Sequence, residues 1–353
     1  MSRPSREFSY TGGARHLAMV AGIALAATVL TPAAGSAETL DQIKAAAAKE
    51  GKVVWYDSLP RAEGDAILKE FQKAYPFIKT AEYLEVPGAA KTARITQESR
   101  AGGPTADVTL DGPAADMRFQ AEGFVEAVDW KALGVETSQE RTPNQYLIAI
   151  TAPLFGMLYN TNKVKEADVP KSYDELADPK WAGRAGTWSR AIGFVILSAD
   201  WGEEKTDAYV KKFAALKPKL YRSTYAAAQS VGAGESDVIF TIYHTALPTI
   251  EQGAPVKWRF LEPVPVSALY GILLKQGRNP NAGKLLLKWL GSDEGAIVYE
   301  KISKRGNPFI KTTETAKLLA GKKVSMFDAD TEVRKATWYN EKEAAYGKML
   351  QGQ

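Results

Sequence analysis

The sequence contains no cysteine and only two histidines, His16 and His244, in 353 residues. The absence of thiols excludes disulfides, thiolate catalysis and cysteine metal sites. No His-rich metal motif and no phosphate-binding P-loop occurs, no serine sits in a Gly-x-Ser-x-Gly elbow, and Gly232-Ala233-Gly234 lacks the third glycine and strand context of a dinucleotide fingerprint. An exported hydrolase therefore stands as a lesser alternative, because nucleophilic catalysis needs a nucleophile with a base beside it. Charge of one sign is missing too. The 45 basic and 41 acidic side chains are interspersed and leave a net +4, whereas nucleic-acid binding calls for a clustered basic face. With no repeat, low-complexity linker or glycine-rich hinge, domains here are joined by strands rather than by a tether.

What is present suits a globular protein: 45% hydrophobic and 24% charged residues, on a chain long enough for two full-sized cores. Arg3, Arg6 and Arg15 precede an apolar run from Leu17 to Leu30, and Thr31-Pro32-Ala33-Ala34-Gly35-Ser36-Ala37 ends in small residues. This pattern predicts a secretory signal over residues 1–37, cleaved after Ala37. The apolar run is short for a membrane span and a polar helix start follows it. No cysteine stands at the cleavage site to carry a lipid. Cleavage removes three of the 45 basic and one of the 41 acidic residues, leaving a net +2 and His244 as the one histidine.

Strand and helix patterns alternate along the mature chain. Lys52-Val53-Val54-Trp55-Tyr56 reads as a strand, Ala62 to Tyr75 as a helix with Ile67, Leu68, Phe71 and Tyr75 as its buried stripe, Ile78 to Val86 as extended and Ala106 to Leu110 as a short strand. Such alternation predicts an α/β fold with largely parallel sheet flanked by helices. Leu147–Ile150 and Phe155–Asn160 mark a crossover into a second domain, and Ala268–Leu274 a return to the first. Val238, Ile239, Phe240 and Ile242 form a buried strand, closed by Thr245 and Pro248, with Tyr243 and His244 at its carboxyl end in a ligand-facing loop. Ligands collect at the carboxyl ends of strands in open α/β sheets. The alternative is that Tyr243 packs in the core and His244 caps a carbonyl.

Several of these segments together resemble the periplasmic solute-binding proteins of ABC importers, specifically the ferric-iron-binding-protein-like group. They are the opening Val-Val-Trp-Tyr strand, Pro104-Thr105-Ala106-Asp107-Val108, Leu158-Tyr159-Asn160-Thr161, Pro179-Lys180-Trp181-Ala182-Gly183-Arg184, Gly234-Glu235-Ser236-Asp237-Val238 and Lys288-Trp289-Leu290. The resemblance implies a two-lobed type II periplasmic-binding-protein fold, with two mixed sheets flanked by helices and joined by crossing strands. It implies a monomer in the periplasm that closes on a solute and meets a membrane permease, with no enzymatic activity and no cofactor. On that frame lobe 1 comprises residues 38–147 with 266–295, lobe 2 residues 148–265, and helices in 296–353 pack on the lobes.

Ferric members of the group hold the ion with adjacent tyrosines where this chain has Tyr243 and His244. Fe(III) is a hard ion that favours phenolate and carboxylate oxygen, so an imidazole in place of a phenolate weakens its hold. Ser189-Arg190-Ala191 opens a helix after a strand, where free N–H groups and the helix dipole favour an anion and Arg190 offers a bidentate fork. Ser58 and Arg61 occupy the equivalent turn of the first lobe; Ser223, Thr224 and Tyr225 precede another helix and are candidates to line the same cleft, with core as the alternative for Tyr225, and Trp188 is a candidate to stack on an organic ligand or, as the safer reading, to cover the sheet. The resulting expectation is a receptor for a small anionic organic solute, a carboxylate, phosphonate or phosphate ester, held by Ser58, Arg61, Ser189, Arg190, Ser223, Thr224, Tyr243 and His244. The alternative is a ferric receptor using Tyr243 and His244 with a bound anion.

Overall fold

The structure, a computed structural model, describes residues 38–86 and 88–353; the expected secretory signal at 1–37 lies outside the described residues. The chain opens with α1 (Leu40–Glu50), β1 (Lys52–Asp57), α2 (Arg61–Ala74), β2 (Thr80–Glu85), α3 (Gly88–Arg100), β3 (Val108–Asp111), α4 (Pro113–Ala121) and β4 (Ile148–Thr151). It continues through β5 (Phe155–Asn160), α5 (Tyr173–Leu176), β6 (Ala185–Trp188), α6 (Ile192–Trp201), α7 (Glu203–Ala214), β7 (Lys219–Tyr221), α8 (Thr224–Gly232), β8 (Val238–Ile242), α9 (Tyr243–Glu251) and β9 (Val256–Arg259). It ends with β10 (Val264–Pro265), β11 (Leu269–Leu273), α10 (Pro280–Leu290), α11 (Asp293–Ser303), α12 (Glu314–Leu319), β12 (Val324–Ser325), α13 (Ala329–Arg334) and α14 (Ala336–Leu350). No described helix is long and apolar enough to cross a membrane.

Local chemistry sets the element ends. Thr39 and Gln42 form a reciprocal capping box at α1, and Gly51 ends that helix with a left-handed φ of +64°. Pro280 occupies the first turn of α10, where its missing N–H costs nothing, and Leu285, Leu286, Leu287, Trp289 and Leu290 are buried beyond it. β8 is buried at every position, as its continuous Val-Ile-Phe-Thr-Ile run requires of a strand covered on both faces.

Two mixed sheets result. The first has the order β2-β1-β3-β11-β4, with β1 parallel to β2 and β3, and β11 antiparallel to β3 and β4. The second has the order β7-β6-β8-β5-β9, with β6 parallel to β7 and β8, and β5 antiparallel to β8 and β9. Each carries its own core, Trp55, Phe71, Tyr83 and the α10 leucines in one lobe and Phe155, Phe194, Phe213 and Phe240 in the other.

The expectation that lobe 2 begins at residue 148 is corrected here. Ile148–Thr151 pairs with β11 in the first sheet, and the chain crosses at Ala152-Pro153-Leu154. Leu147–Ile150 and Phe155–Asn160 are both buried apolar runs of strand length, and such a pattern does not tell which sheet a strand joins. Ala152, Leu154, Val264 and Val266 pack together at the crossing. In the carboxyl-terminal part, α13 packs on α4 of the first lobe while α14 packs on α6 and α7 of the second.

Asp107, in the Pro-Thr-Ala-Asp-Val segment, ties three parts of the first lobe. Its carboxylate accepts from the Val54 N–H at 2.7 Å, the Asn279 N–H at 2.8 Å and Asn279 Nδ2 at 3.0 Å, joining β1, the entry to β3 and the start of α10. Asp107→Ala strands these buried donors and should cost about 3 kcal/mol. In urea unfolding the midpoint falls while the slope is unchanged.

Candidate functional site

At the carboxyl ends of the parallel strands, groups from both lobes converge on Arg305, which lies in the loop between α11 and α12. The first lobe brings Asp57 at the end of β1, Glu63 in the first turn of α2 and Tyr299 from α11. The second brings Tyr225, second residue of α8, and His244, second residue of α9. Burial works against the Arg305 charge, but the Tyr299 phenol, Asp57 and Tyr225 more than restore it, so the guanidinium stays protonated. Its Nε is buried with no hydrogen-bond partner among the described residues.

The loop holding this guanidinium is fixed by backbone chemistry. The Gly306 carbonyl accepts from the Ala152 N–H at 2.9 Å and Thr151 Oγ1 at 3.1 Å, and Asn307 Nδ2 donates to the Ala149 carbonyl at 2.8 Å. A Cβ at Gly306 would stand 2.0 Å from Thr315 Oγ1 and 2.1 Å from Glu300 Oε1, so only glycine fits. Asp57 is held in turn by buried Lys91, whose Nζ lies 3.1 Å from Asp57 Oδ1 and 3.7 Å from Asp111 Oδ2. Tyr83 Oη donates to the Leu59 carbonyl at 2.8 Å and fixes the turn after β1.

The residues expected from the sequence are dispersed over this frame. Ser58 is half-buried directly after Asp57, and Thr224 is buried beside Tyr225. Arg61 is exposed, 3.4 Å from Asp65, and its N–H donates to Glu85 Oε2 at 2.9 Å. Arg190 is engaged elsewhere: Nε and Nη2 make a bidentate pair with Glu343 of α14 at 2.7 and 3.1 Å, with the guanidinium 5.3 Å above the Trp188 ring. The Ser189 N–H donates to the Tyr221 carbonyl at 2.8 Å, and Ser223 caps α8 by accepting from the Ala226 N–H at 3.5 Å.

Tyr243 and His244 do not stand in a loop, since α9 begins at Tyr243 without a break and Pro248 lies inside it. Tyr243 packs its ring 5.2 Å from that of Trp258 and 5.5 Å from that of Phe260, and it lines a recess of about 510 Å³ between α9, α11 and α12. Burial first, then Glu300, Glu251 and Glu314, raise its phenol above the ordinary range, so it stays protonated. Arg305, Glu63, Asp57 and Lys91 were outside the expected set. The one cue in the sequence is a Lys-Arg pair at the Gly306-Asn307-Pro308 break, which reads equally as a solvated turn.

A description of the bacterial extracellular solute-binding proteins matches residues 103–331. The chain belongs to that family. This solute-binding protein is 26% identical over 231 residues to the Fe(3+)-binding periplasmic protein of Serratia marcescens, a match spanning 61% of this chain and 66% of the relative. Iron-bound HitA from Pseudomonas aeruginosa aligns with a TM-score of 0.71 at 20% identity, over 84% of this chain and 99% of HitA. AfuA from Actinobacillus pleuropneumoniae, with exogenous fructose-6-phosphate bound, aligns with a TM-score of 0.67 at 21% identity, over 84% of this chain and 98% of AfuA. At such identities these likenesses establish the fold, which is that of the type II periplasmic binding proteins.

The buried His244 imidazole is held well below its ordinary 6.5 by burial and then by Arg305. The folded protein therefore rejects a proton that the unfolded chain accepts, and stability is full above about pH 6.5 and declines as pH falls below it. His244→Gln removes this contribution. Between pH 7.5 and 5 the melting temperature should fall more steeply for the wild-type protein than for the variant.

Proposed function

We propose that this solute-binding protein is the periplasmic receptor of an ABC importer and captures a small anionic organic solute between its lobes, with Arg305 as the anion anchor. The observation that carries the reading is the buried Arg305 Nε with no partner, placed where both lobes meet. A guanidinium is a fork of donors with no acceptor, and its unfilled direction suits a carboxylate or phosphate oxygen. Ser58 and the start of α8 lie at the same strand and helix ends and supply further donors. Bound between the lobes, the anion is contacted from both sides only in the closed form, and so shifts the population toward closure. The closed form then presents its surface to a membrane permease.

The electrostatics speak against ferric iron as the solute. A trivalent cation placed among these oxygens would be repelled by the Arg305 guanidinium, which shares their electrostatic neighbourhood. Tyr243 is a phenol kept protonated by burial and by Glu300, Glu251 and Glu314.

Thermal denaturation against a panel of carboxylates, phosphonates and phosphate esters tests the proposal. A solute at a hundredfold excess over its Kd adds about 2.7 kcal/mol of stability. Arg305→Gln should abolish the stabilisation, and Arg190→Ala should leave it within twofold in affinity. Ferric citrate should give no visible charge-transfer band. A saturable, stoichiometric band lost in Tyr225→Phe or Tyr243→Phe would replace the organic anion by iron.

A further inference from the structure

Beside the donor-only Arg305 stands an acceptor that is also unfilled. Glu63 Oε2 is buried with no hydrogen-bond partner among the described residues. Its neighbour Glu85 differs, since Glu85 Oε2 is occupied by the Arg61 N–H at 2.9 Å. Glu63 and Arg305 share one electrostatic neighbourhood: burial raises the Glu63 carboxyl above its ordinary range and Arg305 draws it back down, and both groups act on the Tyr299 phenol between α11 and α2. They do not satisfy each other, because Glu63 Oε2 and Arg305 Nε both lack partners, and Tyr299 Oη is a third buried atom in the same state. Buried polar atoms in native proteins are ordinarily paired, so several unpaired atoms around one charge mark a place meant for another molecule.

We infer that the solute carries, a few bonds from its acidic group, an O–H or N–H donor that Glu63 accepts. This rests on the anion-receptor reading and narrows it. A solute that bears only acceptors, such as a plain alkyl carboxylate or an alkyl phosphate, fills Arg305, leaves Glu63 Oε2 unpaired and sets like charges side by side. A solute that bears only a cation does the reverse. An acid that also carries hydroxyl or ammonium groups, as hydroxy acids, amino acids and polyol phosphates do, answers both at once. The site then selects against the simpler acid by leaving its own buried carboxylate without a donor, a stronger discrimination than pocket size provides.

Matched pairs measured by calorimetry on the wild-type protein test this: glycerate against propionate, 4-aminobutyrate against butyrate, and glycerol phosphate against propyl phosphate. In at least one pair the donor-bearing member should bind tenfold or more tightly. Glu63→Gln should shrink that preference below threefold for a hydroxyl solute, because a neutral amide oxygen is a weaker acceptor than a carboxylate and costs less when left unpaired, and abolish binding of an ammonium solute, which loses its counter-charge. Arg305→Gln should remove binding of both members. If both members of every pair bind equally, or if the preference survives Glu63→Gln, the inference falls and the anion receptor stands. If no acid of either kind binds, the receptor reading falls with it. Should Glu63→Gln not fold, the matched pairs on the wild-type protein decide alone.

Discussion

A guanidinium half-buried where two lobes meet needs compensating charge around it, and much of this molecule's centre answers that requirement. Taking an ion out of water costs several kcal/mol unless charges and hydrogen bonds replace the lost hydration, roughly the scale of a domain's whole net stability. Asp57 supplies the counter-charge from the end of β1, Tyr225 supplies a phenol oxygen, and Lys91 with Asp111 holds Asp57 in turn. The array reaches from the first sheet to the first turns of two helices of the second. His244, buried and within reach of the same charge, is kept neutral and adds no competing cation.

The scaffold explains why such an array can be assembled at all. Parallel strands end together on one side of each sheet, and the helices that follow them start there, so side chains distant in sequence arrive within one crevice. Asp57, Tyr225 and His244 each sit at such a junction. Arg305 is different, since it comes from an irregular loop. That loop is made rigid by Gly306 and Asn307, whose backbone and amide bonds to β4 leave it no freedom to withdraw the guanidinium.

How much of this was legible beforehand differed by residue. Buried strands such as Val238–Ile242 announce themselves, because burial on both faces demands an unbroken run of β-branched and aromatic side chains. The two-lobed fold followed from their alternation with helices and from the segments that resemble solute-binding proteins. Residue roles were harder to read. Arg190 has the look of an anion fork, at a helix start after a strand, yet its partner Glu343 lies 153 positions away. Arg305 looks like a solvated cation in a turn, and what gives it its place is a bond between Gly306 and Thr151, 155 positions apart. Pattern along the chain reports which face is buried; it is silent on which distant group completes a charge.

The attachment of the Gly306 carbonyl to Thr151 and Ala152 has a mechanical side. Those two residues lead straight into the stretch by which the chain passes from one sheet to the other. Arg305 is thus tied beside the crossing between the lobes rather than to the outer edge of either one. On the proposed reading, a solute held by Arg305 therefore acts at a crossing that both lobes share.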